Sequence, residues 1–155
     1  MKIKSVAVNN RKKTIQIDTR KGILSLPFAK LRVRPSARNR ITEIYVDPEL
    51  GRSGVTYRLA SGQEDSVHID AFLDYNRDPD FMRRITLHKL SVQAVEAMKA
   101  SDLSKHEVVR RLKTSPSQLY RLLDSSNYRK SIDEMLRLLT VLGCKVEWSI
   151  VRQAA

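Results

Sequence analysis

The stretch Leu103–Leu123, LSKHEVVRRLKTSPSQLYRLL, contains two short amphipathic segments that only three residues separate. The apolar residues of each segment recur at helical spacing and therefore share one face. They are Val108, Val109 and Leu112 in the first segment, and Leu119, Leu122 and Leu123 in the second. Two amphipathic helices joined by so short a turn must cross at a steep angle, as in a helix-turn-helix. The stretch predicts that motif, with the N-terminal end of the second helix facing outward.

A serine followed three residues later by Glu or Gln marks the start of three successive helices. The pairs are Ser104 with Glu107, Ser115 with Gln118, and Ser131 with Glu134. In such a capping box the serine oxygen accepts the amide hydrogen of the third helical residue, whose side chain reaches back to the serine. The last helix ends at Gly143, which adopts a left-handed C-cap conformation easily.

The first seventy residues have the alternating hydrophobicity of short strands, interrupted by turn sequences. The strand-like stretches are IKSVAV, KTIQID, ILSLPF and ITEIYV, and more loosely VTYRL and DSVHI. The segment Ala29–Arg34, which Pro35 ends, fits either a short helix or an edge strand. The pattern predicts a sheet-rich domain of five or six strands.

A change of pattern near residues 76–80 indicates a domain boundary. Asp78 can cap a helix and Pro79 suits its first position, so the following residues predict one long helix, or two that abut near Ser91. KVEWSIV after Gly143 alternates as a strand does, with Trp148 and Ile150 typical of a core or dimer edge. We therefore predict an α+β protein: a β-rich domain, residues 1–77, then a helix-turn-helix domain, residues 78–155, with a short C-terminal strand.

The bulk composition favours a polyanion as partner. The formal net charge is +12, and such an excess predicts salt-sensitive binding. A single cysteine and three dispersed histidines have no metal-site spacing, so we expect neither a metal nor a cofactor. The sequence has no apolar run that would predict a signal peptide or a membrane span, which indicates a cytoplasmic protein.

The residues of Leu103–Leu123 resemble the Cro and lambda-repressor type of helix-turn-helix, also called the xenobiotic-response-element type. The stretch fits that motif without a gap, with Leu112 and Leu119 at its apolar anchor positions. SSNYRKSIDEMLRLLTVLGCKVEW, which follows, is similar to the later part of antitoxin-like members. Two positions depart from the family: Val109 replaces a small residue and Lys113 replaces a glycine. The N-terminal half, with DPELGRSGVTYRLASGQEDSVHIDAFLDYNRDPD, resembles a small bacterial domain of unknown function that is sometimes found joined to such motifs.

The resemblance implies that the second helix reads DNA in the major groove. Base contacts are expected from Ser117, Gln118 and Arg121, since Gln pairs with adenine and Arg with guanine. The expected contacts to the DNA backbone come from residues at helix starts, in the turn and after the reading end. These are Ser104, Lys105, Lys113, Ser115, Tyr120, Arg129 and Lys130. Residues 103–130 hold seven Lys or Arg and two acids, which suits a phosphate-facing surface.

Several alternatives stay open at this point. One alternative is that Gln118 serves only its helix cap and reads nothing; another is that the chain binds only proteins, as some proteins with this fold do. The run Arg11–Arg40 holds ten Lys or Arg against Asp18 alone, which indicates a solvated surface, a second nucleic-acid contact or a docking face for an acidic partner. Asp102 and His106 have no nucleophile or second carboxylate beside them, so we expect no enzyme activity.

The sequence thus predicts a transcriptional regulator, for example a repressor, that binds double-stranded DNA as a homodimer. The alternative is an antitoxin-like or adaptor protein whose N-terminal domain holds a protein partner. Both hypotheses are compatible, since antitoxins of this type often repress their own operons.

Overall fold

The computed structural model describes residues 1–152, which form two compact units. The first unit is Met1–Phe81 and the second begins at Met82. The boundary therefore lies a few residues beyond the predicted one, within the first turn of a long helix. The described chain is α+β, with every strand in the first unit and only helices as regular structure in residues 82–152. None of its helices is long and apolar enough to cross a membrane.

Two three-stranded antiparallel sheets make up most of the first unit. The first sheet contains β1 (Ile3–Asn9), β2 (Thr14–Thr19) and β3 (Gly22–Pro27), in that order. The second contains β4 (Ile41–Val46), β5 (Gly54–Leu59) and β6 (Glu64–His68). All six predicted strands are present. The inward side chains build one core, which includes Ile15, Ile17, Leu26, Val55 and Tyr57.

The segment that fits either a helix or an edge strand is irregular for most of its length. A single 3-10 turn spans Phe28–Lys30, and the residues after it form neither helix nor strand. The backbone there is held by side chains instead. The hydroxyl of buried Tyr57 donates to the carbonyl of Val33 at 2.5 Å, and Arg32 forms an ion pair with Asp65. Tertiary contacts thus replace the hydrogen bonds that regular structure would supply.

A short helix that the sequence pattern did not indicate, α1 (Ile69–Tyr75), follows β6 directly. Its buried residues Ile69, Phe72 and Leu73 join the core of the first unit. The nitrogen Nδ1 of His68 accepts the amide hydrogen of Asp70 at 3.3 Å and so caps the helix. Histidine is not among the usual cap residues, which is why the signal escaped sequence reasoning.

The long helix α2 spans Pro79–Ala100 without a break. The carboxylate of Asp78 accepts the amide hydrogen of Phe81 at 2.9 Å, as the predicted cap requires. Ser91 lies buried inside this unbroken helix, where its hydroxyl donates to the carbonyl of Leu87 one turn earlier at 2.7 Å. The question of one helix or two is therefore settled in favour of one.

The three serine-capped helices follow as predicted: α3 (Lys105–Leu112), α4 (Pro116–Leu123) and α5 (Ile132–Val141). In each, the serine oxygen accepts the amide hydrogen of the third helical residue. Only Glu134 reaches back to its serine, so only α5 has the complete capping box. The predicted C-terminal strand is wrong, because residues 144–152 have no strand partner and form no regular structure. Alternation alone cannot make a strand without an edge to pair with.

We expect Tyr57→Phe to lower the free energy of unfolding by about 1–2 kcal/mol, because it leaves the Val33 carbonyl without its donor. Burial raises the pKa of Tyr57 to about 12, so the hydroxyl stays protonated and donates throughout the neutral range. The measurement is urea unfolding of the full chain. Tyr45→Phe is the control, since Tyr45 is exposed on β4 and should change stability by less than about 0.5 kcal/mol. Equal midpoints for the two variants would contradict this account.

Candidate nucleic-acid interface

The turn between α3 and α4 has the tight geometry that the sequence predicts. Lys113 ends α3 in the left-handed conformation, with φ 53° and ψ 49°. The amide of Thr114 then donates to the carbonyl of Val109 at 3.2 Å. Lys113 therefore adopts the conformation for which the resembled family uses glycine, at the small cost that a side chain pays there.

The apolar faces of the helix pair are buried in the core of the second unit. Val108, Leu119 and Leu122 are almost inaccessible to solvent, whereas Leu112 is only partly buried. They pack in one cluster with residues of α2 and α5, namely Leu87, Ala94, Met135, Leu138 and Leu139. This burial decides which side of α4 faces solvent.

Ser117, Gln118 and Tyr120 occupy the exposed side of α4. The ammonium of Lys105, on α3, lies 4.9 Å from the centre of the Tyr120 ring. At that distance the cation is attracted by the ring face. The structure thus brings together two residues that are predicted to contact the DNA backbone, Lys105 of α3 and Tyr120 of α4.

Arg121 is occupied by other parts of the second unit. Its Nε donates to Oε1 of Gln118 at 2.7 Å, and its two terminal nitrogens donate to the Arg129 carbonyl and to Glu134. The ion pair with Glu134 is 2.6 Å long. The guanidinium therefore links the reading helix to the loop after it and to the start of α5.

Gln118 has a local role, but a different one from helix capping. Its amide oxygen accepts from Arg121, while its side chain makes no return bond to Ser115. The Nε2 donor of Gln118 has no hydrogen-bond partner among the described residues. The oxygen also keeps a second lone pair, because an amide oxygen carries two.

The assignment of Lys130 to the DNA backbone is wrong. Lys130 is 1% exposed, and its ammonium donates to the carbonyls of Leu122 and Asp124 at 2.6 Å each. Burial lowers the pKa of this ammonium from its ordinary value, with the carboxylate of Asp124 acting in the opposite direction. Lys130 thus closes the C-terminal end of α4 and cannot reach a phosphate.

Arg83 supports the same loop, and sequence reasoning missed it. Its guanidinium donates to the carbonyls of Tyr128 and Lys130 at 3.1 Å. Nothing in the local pattern of α2 distinguishes Arg83 from a solvated surface residue. Its role depends on a loop more than forty residues away.

The other basic residues between Leu103 and Lys130 divide into those that are paired with a carboxylate and those that are not. Arg110 and Arg111 are paired with Glu107, and the hydrogen bonds from these arginines, chiefly from Arg110, hold the pKa of Glu107 at about 2. That carboxylate stays ionised at physiological pH and pairs with both arginines, so the three side chains together keep one net positive charge. In the described part of the chain Lys105, Lys113 and Arg129 form no ion pair, and all three are exposed. Within residues 103–130 these three are the unpaired cations that can meet phosphate.

Comparison of the chain with protein-family models, with curated proteins and with solved structures finds no match. The resemblance to the Cro and lambda-repressor type therefore stays a prediction.

We expect Lys130→Met to lower the free energy of unfolding by about 1–3 kcal/mol, because two carbonyls lose a buried donor. Urea unfolding of the full chain measures the loss. Arg129→Met is the matched control: it removes the neighbouring positive charge from an exposed side chain, and its effect should stay within about 0.5 kcal/mol. If the Lys130 variant is as stable as the control, Lys130 does not have this buried structural role.

Proposed function

We propose that this chain is a sequence-specific DNA-binding regulator that inserts α4 into the major groove and acts by occupying an operator. The observation that carries the proposal is the division of α4 into two faces. Leu119 and Leu122 are buried, while Ser117, Gln118 and Tyr120 are exposed near its N-terminal end. In helix-turn-helix proteins this end of the second helix contacts base edges.

The phosphate contacts in this proposal come from the three unneutralised cations and from two helix starts. Lys105, Lys113 and Arg129 supply positive charge that no carboxylate of the described residues neutralises. The helix starts add the amides that the serine caps leave unused, which belong to Lys105 and His106 at α3 and to Ser117 at α4, since Pro116 has no amide hydrogen. These contacts fix the position of the protein on DNA, and they carry no sequence information.

Base reading is assigned to Ser117 and Gln118, with Arg121 as a positioning residue. The contact from Arg121 fixes the orientation of the Gln118 amide, whose free Nε2 and second oxygen lone pair suit an adenine edge. Glu134 and the Arg129 carbonyl keep Arg121 in place. This role differs from direct guanine reading by Arg121, which the sequence alone suggested.

A homodimer is part of the proposal. Trp148, Ile150 and Val151 expose 58%, 95% and 76% of their surface, so the C-terminal segment offers apolar area for a second copy. A dimer with two-fold symmetry would bind half-sites about one helical turn (~34 Å) apart.

Selection of binding sites from random duplex DNA tests the function directly. With the full chain at about 0.15 M salt, we expect enrichment of a two-fold symmetric motif whose halves lie about 10 base pairs apart. A motif with only one half-site would contradict the homodimer. Failure to enrich any sequence would contradict sequence-specific DNA binding.

The role of Arg121 can be separated from direct reading by combining substitutions. If Arg121 acts through Gln118, then Gln118→Ala and Arg121→Ala relax specificity at the same base position. The double variant should then bind DNA as tightly as whichever single variant binds less tightly. The measurement is affinity for the selected site and for its single-base changes. Relaxation at two separate base positions, with additive losses, would instead assign guanine reading to Arg121.

Lys113→Ala is the comparison variant in that experiment. It should weaken binding to every sequence alike and lower the salt slope by about one unit, as loss of one phosphate contact does.

A further inference from the structure

A cavity of about 520 Å³ lies in the first unit, at a distance in sequence from the helix-turn-helix. Three chain segments form it: the turn between β1 and β2, the turn after β3, and the loop of residues 34–40. We call it the basic cavity. Its volume falls in the range of small-molecule sites in proteins, about 300–1,000 Å³.

The charge of the basic cavity has one sign. Lys12, Lys13, Arg34 and Arg40 line it, and no Asp or Glu does. Within residues 1–152 none of the four forms an ion pair, and Arg34 only donates weakly to the carbonyl of Leu31 at 3.4 Å. Four like charges around one concavity focus a positive potential and attract an anion.

Two other cations of the same basic run, Lys21 and Arg32, are paired with carboxylates, so the four in the cavity differ from them in charge balance. Lys21 contacts the carboxylates of Asp78 and Asp80 at 2.7 and 2.8 Å. Arg32 is paired with buried Asp65, whose pKa it lowers. Arg11, Arg20, Lys30 and Arg38 form no ion pair among residues 1–152 either, so what sets the four apart is that they line one cavity.

Hydrogen bonds hold the cavity wall in place. The amide of Phe28 donates to the carbonyl of Lys13 at 2.9 Å, which ties two of the three segments together. Two hydrogen bonds fix the third segment. The Tyr57 hydroxyl donates to the carbonyl of Val33, just before the segment, and the amide of Ala60 donates to the carbonyl of Arg40. A site that is ordered before binding costs less to occupy.

The cavity also has an apolar part, made by Pro27, Phe28, Ala29 and Pro35. A simple inorganic ion would leave that surface in contact with water. A ligand with an anionic group and a planar apolar group would use both the cations and the Phe28 ring.

We propose that the basic cavity binds a small phosphorylated molecule of the mononucleotide class, with its phosphates among the four cations and its base beside Phe28. The site goes beyond DNA binding by α4 and does not depend on it. Duplex DNA fits the cavity poorly, because its phosphates lie on a convex surface. Arginine and lysine are the side chains that proteins use for phosphate.

The test is calorimetric titration of the full chain with ATP, inorganic triphosphate and adenosine at about 0.15 M salt. We expect one ATP per chain, weaker binding of triphosphate, and weaker or no binding of adenosine. Arg34→Gln/Arg40→Gln should weaken ATP binding about 10-fold or more, since the loss of even one charge-assisted hydrogen bond costs about that much. Lys12→Gln/Lys13→Gln, which alters a different segment, should do the same, so misfolding of one variant leaves the test intact.

Arg11→Gln/Arg38→Gln is the matched control. It removes the same amount of charge from exposed residues of the same run that do not line the cavity. ATP affinity within about 2-fold of the unaltered chain supports a defined site. Equal loss in control and cavity variants, or no binding of ATP or triphosphate to the unaltered chain, would overturn the proposal.

A single-stranded oligonucleotide of thymidines serves as competitor. If the oligonucleotide displaces ATP, binds more tightly than ATP and loses affinity in the Arg11→Gln/Arg38→Gln variant, the basic run binds single-stranded nucleic acid. The proposal of a small-molecule site would then be wrong. The binding-site selection on duplex DNA is independent of both outcomes. Failure of the basic cavity and failure of DNA binding by α4 are therefore distinguishable.

Discussion

Burial of Leu119 and Leu122 is the constraint on which the second unit depends. A helix of eight residues can bury only one face, and this face packs against α2, α3 and α5. Ser117, Gln118 and Tyr120 are exposed as a consequence. The left-handed turn at Lys113 and the Ser115 cap give α4 its start, so packing and local chemistry agree on which end is presented.

The number of basic residues does not show how many of them are available to an anionic partner, because some are already paired or buried. Seven basic residues lie between Leu103 and Lys130, but Arg110, Arg111 and Arg121 are held by carboxylates and Lys130 is buried. Lys105, Lys113 and Arg129 are what is left for a phosphate. The same distinction in the first unit separates paired Lys21 and Arg32 from the four cations of the basic cavity. Both proposals concern the charges that the fold leaves unneutralised.

The elements were largely predictable because their signals are local. Period-two patterning, the Asp78 cap and the three serine caps each depend on residues within one turn or one strand, and the structure contains all of them. The failures are not local. The C-terminal stretch alternates but has no edge to pair with, α1 starts at an unusual cap, and Lys130 is buried by carbonyls of the preceding helix end.

The sequence by itself determined that residues 103–123 form a capped helix pair with one apolar face each, and that the chain carries a large positive charge. Tertiary structure alone decided the availability of individual side chains. Arg121 donates hydrogen bonds to Glu134 and Gln118, and Arg83 donates to a loop distant in sequence. Four other cations line one cavity. The physical reason is range: caps and periodicity act within a few residues, whereas desolvation and ion pairing depend on whichever groups the fold brings within a few ångströms.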